Sequence, residues 1–174
     1  MLQRPPAYAR AALGSLLFLA VAPGVVAGLL PWWLTGWDSD AAVPLPVVAA
    51  GVVLVAVGVG VLVHAFARFV AEGLGTPAPI APTKHLVVGG LYRYVRNPMY
   101  LAVAATIVGQ AMILGQTGLL LYAVAFCVAV ALFVHFYEEP TLARQFGTEY
   151  DTYRRAVPAW WPRRRPWSPD DPRH

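Results

Sequence analysis

The stretch NPMYLAVAATIVGQAMILGQTGLLLYAVAFCVAVALFVHFYEE, residues 97–139, decides the fold. It holds two apolar runs, 99–114 and 118–136, joined by the short connection Gly115-Gln116-Thr117-Gly118. A link this short forces two helices to run antiparallel. The polar residues that lead into the first run and the acidic pair Glu138-Glu139 that follows the second therefore end at the same level, on the same side of the hairpin.

Composition gives that hairpin its surroundings. The chain has 174 residues, 58% of them hydrophobic and only 13% charged, with a mean hydropathy of +0.56. These values belong to the membrane class. Two further apolar runs precede the hairpin: 11–34, without a charge, and 43–66, opened by Pro44 and Pro46 and polar only at His64. At a rise of about 1.5 Å per residue the first two runs cross a hydrocarbon core with some tilt, whereas 99–114 barely does. The first run exceeds the apolar core of a signal peptide, and Trp32, Trp33 and Trp37 suit an interfacial belt. The expectation is an all-α polytopic membrane protein with four transmembrane helices. It falls into two units, an N-terminal pair of helices over 1–66 and a loop, helical hairpin and tail over 67–174.

Charge sets the orientation. All 13 Lys and Arg residues lie in the N-terminal tail, the loop 67–98 or the tail after Tyr137, whereas the loop after the first run carries only Asp38 and Asp40. By the positive-inside rule both termini and the loop 67–98 face the cytoplasm. The net charge of +4 then meets anionic headgroups rather than nucleic acid. Gly24 with Gly28, and Ala105 with Gly109, have the spacing that permits close helix contact. The single cysteine, Cys127, excludes an intramolecular disulfide and a cysteine zinc cluster and reads as a small packing residue. The segment Trp160–Trp167 reads as an interfacial anchor.

The two polar motifs have complementary chemistry. Asn97-Pro98 is a helix start, with asparagine placed to cap free amides and proline at the first helical position. A helix N-terminus carries partial positive charge and suits an anion, and Arg96 adds to that preference. Glu138 and Glu139 stand at the end of their apolar run, where a helix dipole disfavours carboxylates. Adjacent helical residues point about 100° apart, so one acid can face the bundle while the other meets water or a basic partner. A bundle-facing carboxylate suits an amine or a ribose hydroxyl. Tyr92, Tyr94, Tyr100 and Tyr137 surround the same mouth, and aromatic faces favour a soft cation such as a sulfonium. A capped helix with an arginine at the headgroups, an exposed acidic pair and a tyrosine belt are the purely structural alternatives. His64 and His135 lack metal-ligand spacing.

The stretch from His85 to Tyr100, HLVVGGLYRYVRNPMY, resembles the cofactor motif of integral-membrane methyltransferases, the isoprenylcysteine carboxyl methyltransferases and phospholipid N-methyltransferases. The second half resembles it too, with Glu138-Glu139, Leu142, Phe146-Gly147, Glu149-Tyr150, Tyr153 and Val157-Pro158 in order. The resemblance covers about residues 75–162. It implies S-adenosylmethionine as methyl donor, held at the cytoplasmic mouth of the hairpin. The implied cofactor-binding residues are His85, Leu86, Val87, Tyr92, Asn97, Pro98, Met99, Tyr100 and Glu138. Arg96 and Glu139 are the candidate catalytic residues, in supporting roles.

Two departures from the family pattern bear on chemistry. Asn97 stands where the family often has a histidine, and it does not titrate near neutral pH. Val134 stands where eukaryotic prenylcysteine enzymes carry an arginine linked to the substrate carboxylate. The expected function is transfer of a methyl group to a lipophilic small molecule or lipid that enters from the bilayer, with the C-terminal segment as the cytoplasmic catalytic part. No metal and no nucleic acid are expected. The alternatives are a small four-helix transporter, which would want an intramembrane ionisable group, and a membrane scaffold protein, which would leave the motifs after residue 84 without a purpose.

Overall fold

The computed structural model describes residues 21–39, 42–73 and 85–168, with backbone alone over 69–73. The expected features in 1–20, 74–84 and 169–174 lie outside the described residues. The described residues form five helices: α1 (Val21–Thr35), α2 (Leu45–Gly73), α3 (Pro98–Leu114), α4 (Thr117–Phe146) and α5 (Thr148–Ala156). There is no strand among the described residues. Stretches Leu45–Arg68 and Thr117–Phe146, of 24 and 30 residues with hydropathies of 2.7 and 2.5, are long and apolar enough to cross a membrane, while α1 and α3 are shorter.

The hairpin forms as its turn requires. Gly115 adopts φ +69°, and the N–H groups of Gly115 and Gln116 both return to the Ala111 carbonyl. This left-handed stop suits glycine and closes α3 sharply. Helix α2 lies against α3 at backbone distance. A Cβ added at Gly51 would stand 2.8 Å from the Gly109 carbonyl oxygen, and one added at Gly109 would stand 2.8 Å from that of Gly51. The expected small-residue contact therefore involves Gly109, but with Gly51 as its partner. A Cβ added at Gly28 would meet nothing within 4 Å among the described residues. Leu62 and Phe66 of α2 form the core with Ala102, Val103 and Ile107 of α3 and Ala123 of α4. Outward, Val53, Val57 and Val63 of α2 and Leu121, Val124 and Phe136 of α4 are more than half exposed. An apolar exterior of this extent suits lipid as the surrounding medium.

Two helices contain a π-helical turn, and both turns stand just before a proline. In α1 the turn is Val25–Leu29, after which Leu30 N–H bonds the Val25 carbonyl and Pro31 follows. In α4 it is Val134–Glu138, after which Glu139 N–H bonds the Val134 carbonyl and Pro140 follows. A proline in regular α-helix clashes with the carbonyl four residues back, and the wider turn gives it room. The widening orphans carbonyls, which in lipid must find donors from the protein. In α1 they do: Gln110 Nε2 donates to the Ala27 carbonyl (2.7 Å) and the Tyr122 hydroxyl to that of Val26 (2.8 Å). Both donors come from the hairpin, so the defect in α1 adds two hydrogen bonds to α3 and α4 beside the packing of Val26 and Ala27 on the core. Gln110→Leu is expected to destabilise the fold by about 1–3 kcal/mol, the penalty of an unsatisfied buried acceptor. Thermal unfolding in detergent, with Gln110→Glu for comparison, checks it.

The acidic pair sits differently from expectation. Glu138 and Glu139 do not end their helix, because the π turn carries α4 past Pro140 to Phe146. The dipole penalty inferred for a C-terminus therefore does not apply.

Candidate functional site

The loop before α3 is held in place from both sides. Gly90 has φ +56°, and a Cβ there would lie 3.0 Å from Arg68 Cγ and 3.1 Å from His64 Nε2. Only glycine lets the loop turn left-handed this close to α2. The following 3₁₀ turn, Gly90–Arg93, buries Tyr92 beside Ala65 and Val87. From the other side, residues 157–168 form a strap across the loop. Arg96 N–H donates to the Pro158 carbonyl, Arg163 N–H to that of Tyr94 and Trp167 N–H to that of Arg93, each at 2.9 Å. Arg93 Nε donates back to the Trp167 carbonyl at 2.6 Å. Trp167 is buried against Tyr150, Tyr153 and Val157. The tail is thus part of the folded site, and its reading as a simple interfacial anchor is corrected at Trp167. Trp161, at 81% exposure, retains the character expected of an anchor.

Asn97 is buried, but its side chain does not cap α3. Its Nδ2 donates to the Ala159 carbonyl at 3.2 Å. The strap takes the Asn97 side chain, which makes no cap bond to the first turn of α3.

At this end of the bundle the helices line a partly open cavity of about 190 Å³. Tyr92, Arg96, Asn97, Pro98, Met99, Tyr100 and Glu138 line one part of it, and Ala22, Pro23, Val26, Leu62, Phe66, Val103 and Phe126 line the apolar remainder. Glu138 Oε2 accepts a hydrogen bond from the Tyr100 hydroxyl at 2.9 Å. Glu139 is turned away from the cavity. Its Oε1 takes Arg96 Nη1 at 2.7 Å, and its Oε2 lies 3.7 Å from Arg154 Nε. The adjacent acids thus divide as expected, one toward the bundle and one toward basic partners. Arg96 Nη1 also donates to the Tyr150 hydroxyl at 3.0 Å, while Arg96 Nε is buried without a hydrogen-bond partner. Burial pushes the Tyr150 and Tyr153 hydroxyls above the ordinary phenol range, against the pull of Arg96. Both stay protonated, and Tyr153 donates to the Tyr92 carbonyl at 2.7 Å.

Of the residues singled out from sequence, seven line the cavity together: Tyr92, Arg96, Asn97, Pro98, Met99, Tyr100 and Glu138. Glu139 stands behind Arg96. His85 is exposed, Leu86 packs on the cluster of Tyr150 and Trp167, and Val87 is buried next to Ala65. These three shape the loop from outside the cavity. Sequence reasoning missed the walls from α1 and α2, since Val26, Leu62 and Phe66 look like any apolar residue of a span. It also missed the carbonyls of Pro158, Ala159 and Trp167, which no side-chain motif marks. Among the described residues no group of histidines, cysteines and carboxylates could hold a metal ion.

The sequence profile of the phospholipid methyltransferase family matches residues 46–149, more than half of the chain. No curated protein matches it.

Proposed function

The chain belongs to the phospholipid methyltransferase family, and from that premise we propose that it uses S-adenosylmethionine to methylate a lipophilic acceptor. The observation that carries the choice of donor is that the cation Arg96 and the carboxylate Glu138 line the same space. A zwitterionic donor answers both. Its carboxylate suits the Arg96 guanidinium and the N-terminal end of α3, and its amine suits Glu138. The faces of Tyr92, Tyr100, Phe66 and Phe126 suit a sulfonium. A site enclosing a whole molecule of this size runs to roughly 300–1,000 Å³. A cavity of about 190 Å³ therefore accounts for the amino-acid and sulfonium end, with the nucleoside extending beyond it.

The bound donor supplies a methyl group already activated on sulfur. What this chain contributes is alignment and dryness. Glu139 and Tyr150 fix Arg96 through Nη1, Tyr100 fixes Glu138, and the apolar walls exclude water from the reacting groups. The acceptor enters from the bilayer between the helices and lays its apolar body along Val26, Leu62, Val103 and Phe126. Arg96 is the one cation lining the cavity among the described residues, and the donor occupies it. Val134 is buried in the π turn, Arg93 is committed to the Trp167 carbonyl, and His135 is exposed. A second fixed anion on the acceptor would go unpaired, at several kcal/mol. Weak activity on prenylated cysteine and better activity on an apolar thiol or amine are expected. Robust farnesylcysteine turnover in a side-by-side assay would overturn this.

Calorimetry in detergent tests the donor. Heat on titration with S-adenosylmethionine or its demethylated product is expected. No heat for either, with the helical signal intact, would remove the enzyme reading. All four long helices are taken to lie in the membrane, with both termini and the site cytoplasmic. Ser39→Cys and Ser168→Cys, each with Cys127→Ala, test this on intact cells. An impermeant thiol reagent should label the first, and labelling of the second alone would invert the topology.

A further inference from the structure

The outer face of the strap has no role in the cavity. Trp161 is 81% exposed, although Trp167, six residues on, is buried. Arg164 and Arg165 are exposed beside it, and Arg154 and Arg155 are exposed on α5, which leads into the strap. Glu149 and Asp151 lie in the first turn of α5, while the two arginines lie in its last. From residue 152 onward the sequence carries six arginines against two carboxylates, Asp170 and Asp171, so positive charge is in excess at this end of the chain. The level of this surface is fixed as well. Ala159, two residues before Trp161, receives the Asn97 side chain at the first turn of α3, where the apolar helix begins. An exposed tryptophan flanked by arginines, at the height where apolar helix gives way to polar loop, is complementary to one medium. Indole rings settle among headgroups, and arginines draw to anionic ones.

We propose that the strap docks through Trp161, Arg164 and Arg165 on a surface of anionic lipid headgroups and that this docking braces the loop carrying Arg96. The inner face of the same segment makes the brace. The Pro158, Ala159 and Trp167 carbonyls accept from Arg96 N–H, the Asn97 side chain and Arg93 Nε, and the strap returns Arg163 and Trp167 N–H groups to the loop. Lipid bound outside lowers the chance that these bonds open, and Arg96 keeps its place. The docking itself is independent of the proposed function, whereas its effect on the donor rests on it.

Hydrogen exchange in nanodiscs separates the two. The Arg163 and Trp167 amides report the strap directly, with discs of zwitterionic lipid compared with discs containing anionic phosphatidylglycerol. Exchange at these amides is expected to slow roughly tenfold or more in the anionic discs, since each arginine at such a surface contributes about a factor of five. The slowing should disappear in Arg164→Gln/Arg165→Gln, shrink in Trp161→Ala and weaken at high salt. In zwitterionic discs the double variant should match the parent. Equal exchange in both lipids, or equal slowing in the double variant, would overturn the docking. Donor affinity in the same discs tests the brace, and several-fold tighter binding is expected only with anionic lipid and intact arginines. Lipid-dependent exchange with unchanged donor affinity would leave a dock without a brace. Absence of donor binding in every disc would count against the enzyme reading and not against the docking.

Discussion

Glu138→Gln is expected to weaken S-adenosylmethionine binding by roughly 10–100-fold, because hydrogen bonds to charged groups contribute about 1.5–3 kcal/mol. The substitution keeps the shape of the side chain, and its amide oxygen can still accept from Tyr100, which lies 2.9 Å from the native carboxylate. Only the negative charge facing the cavity is lost. The fold should therefore survive with its melting temperature nearly unchanged, while calorimetry reads the lost affinity. Tyr100→Phe should weaken binding less, since it frees the carboxylate without removing it. Unchanged affinity in Glu138→Gln would mean that the amine of the donor is held elsewhere.

Glu139→Ala is expected to act on stability first. Glu139 and Arg96 keep side-chain exposures of 11% and 12% and bond at 2.7 Å. Removing one partner leaves the other buried and uncompensated, a loss of about 3–5 kcal/mol. Arg154 cannot repair it, because it is a second cation that shares Glu139 with Arg96. The double variant Arg96→Met/Glu139→Met should regain most of that stability, since matched apolar side chains replace a buried pair well. It should nevertheless bind no donor. Denaturant titration and calorimetry on the single and double variants distinguish the outcomes. Donor binding retained in the stable double variant would show that Arg96 is not the anion site.

Several features were legible in the sequence for plain reasons. The unbroken apolar runs, the short Gly-containing connection and the Asn97-Pro98 start give the helices and the antiparallel hairpin. They depend only on local propensity and on the period of hydrophobic residues. The opposite facing of Glu138 and Glu139 was readable too, because adjacent side chains on any helix diverge. The sequence also carried seven of the cavity-lining residues in one contiguous motif and across the hairpin.

Tertiary structure decided what those residues do for one another. Asn97 has the identity of a cap, yet a carbonyl 62 positions away at Ala159 takes its side chain. Pro31 and Pro140 lie inside helices, and no sequence pattern marked the π turns before them or the answer of Gln110 and Tyr122 to the orphaned carbonyls of α1. Trp161 and Trp167 are alike in sequence, and packing on Tyr153 and Val157 buries one while the other stays exposed. By itself the sequence determined the membrane class, the hairpin and the residue types at its mouth, since each follows from contacts within a few turns of helix. Only the fold decided that residues 157–168 close over that mouth. The bonds that hold them there are backbone carbonyls, which every residue carries and no pattern of side chains reveals.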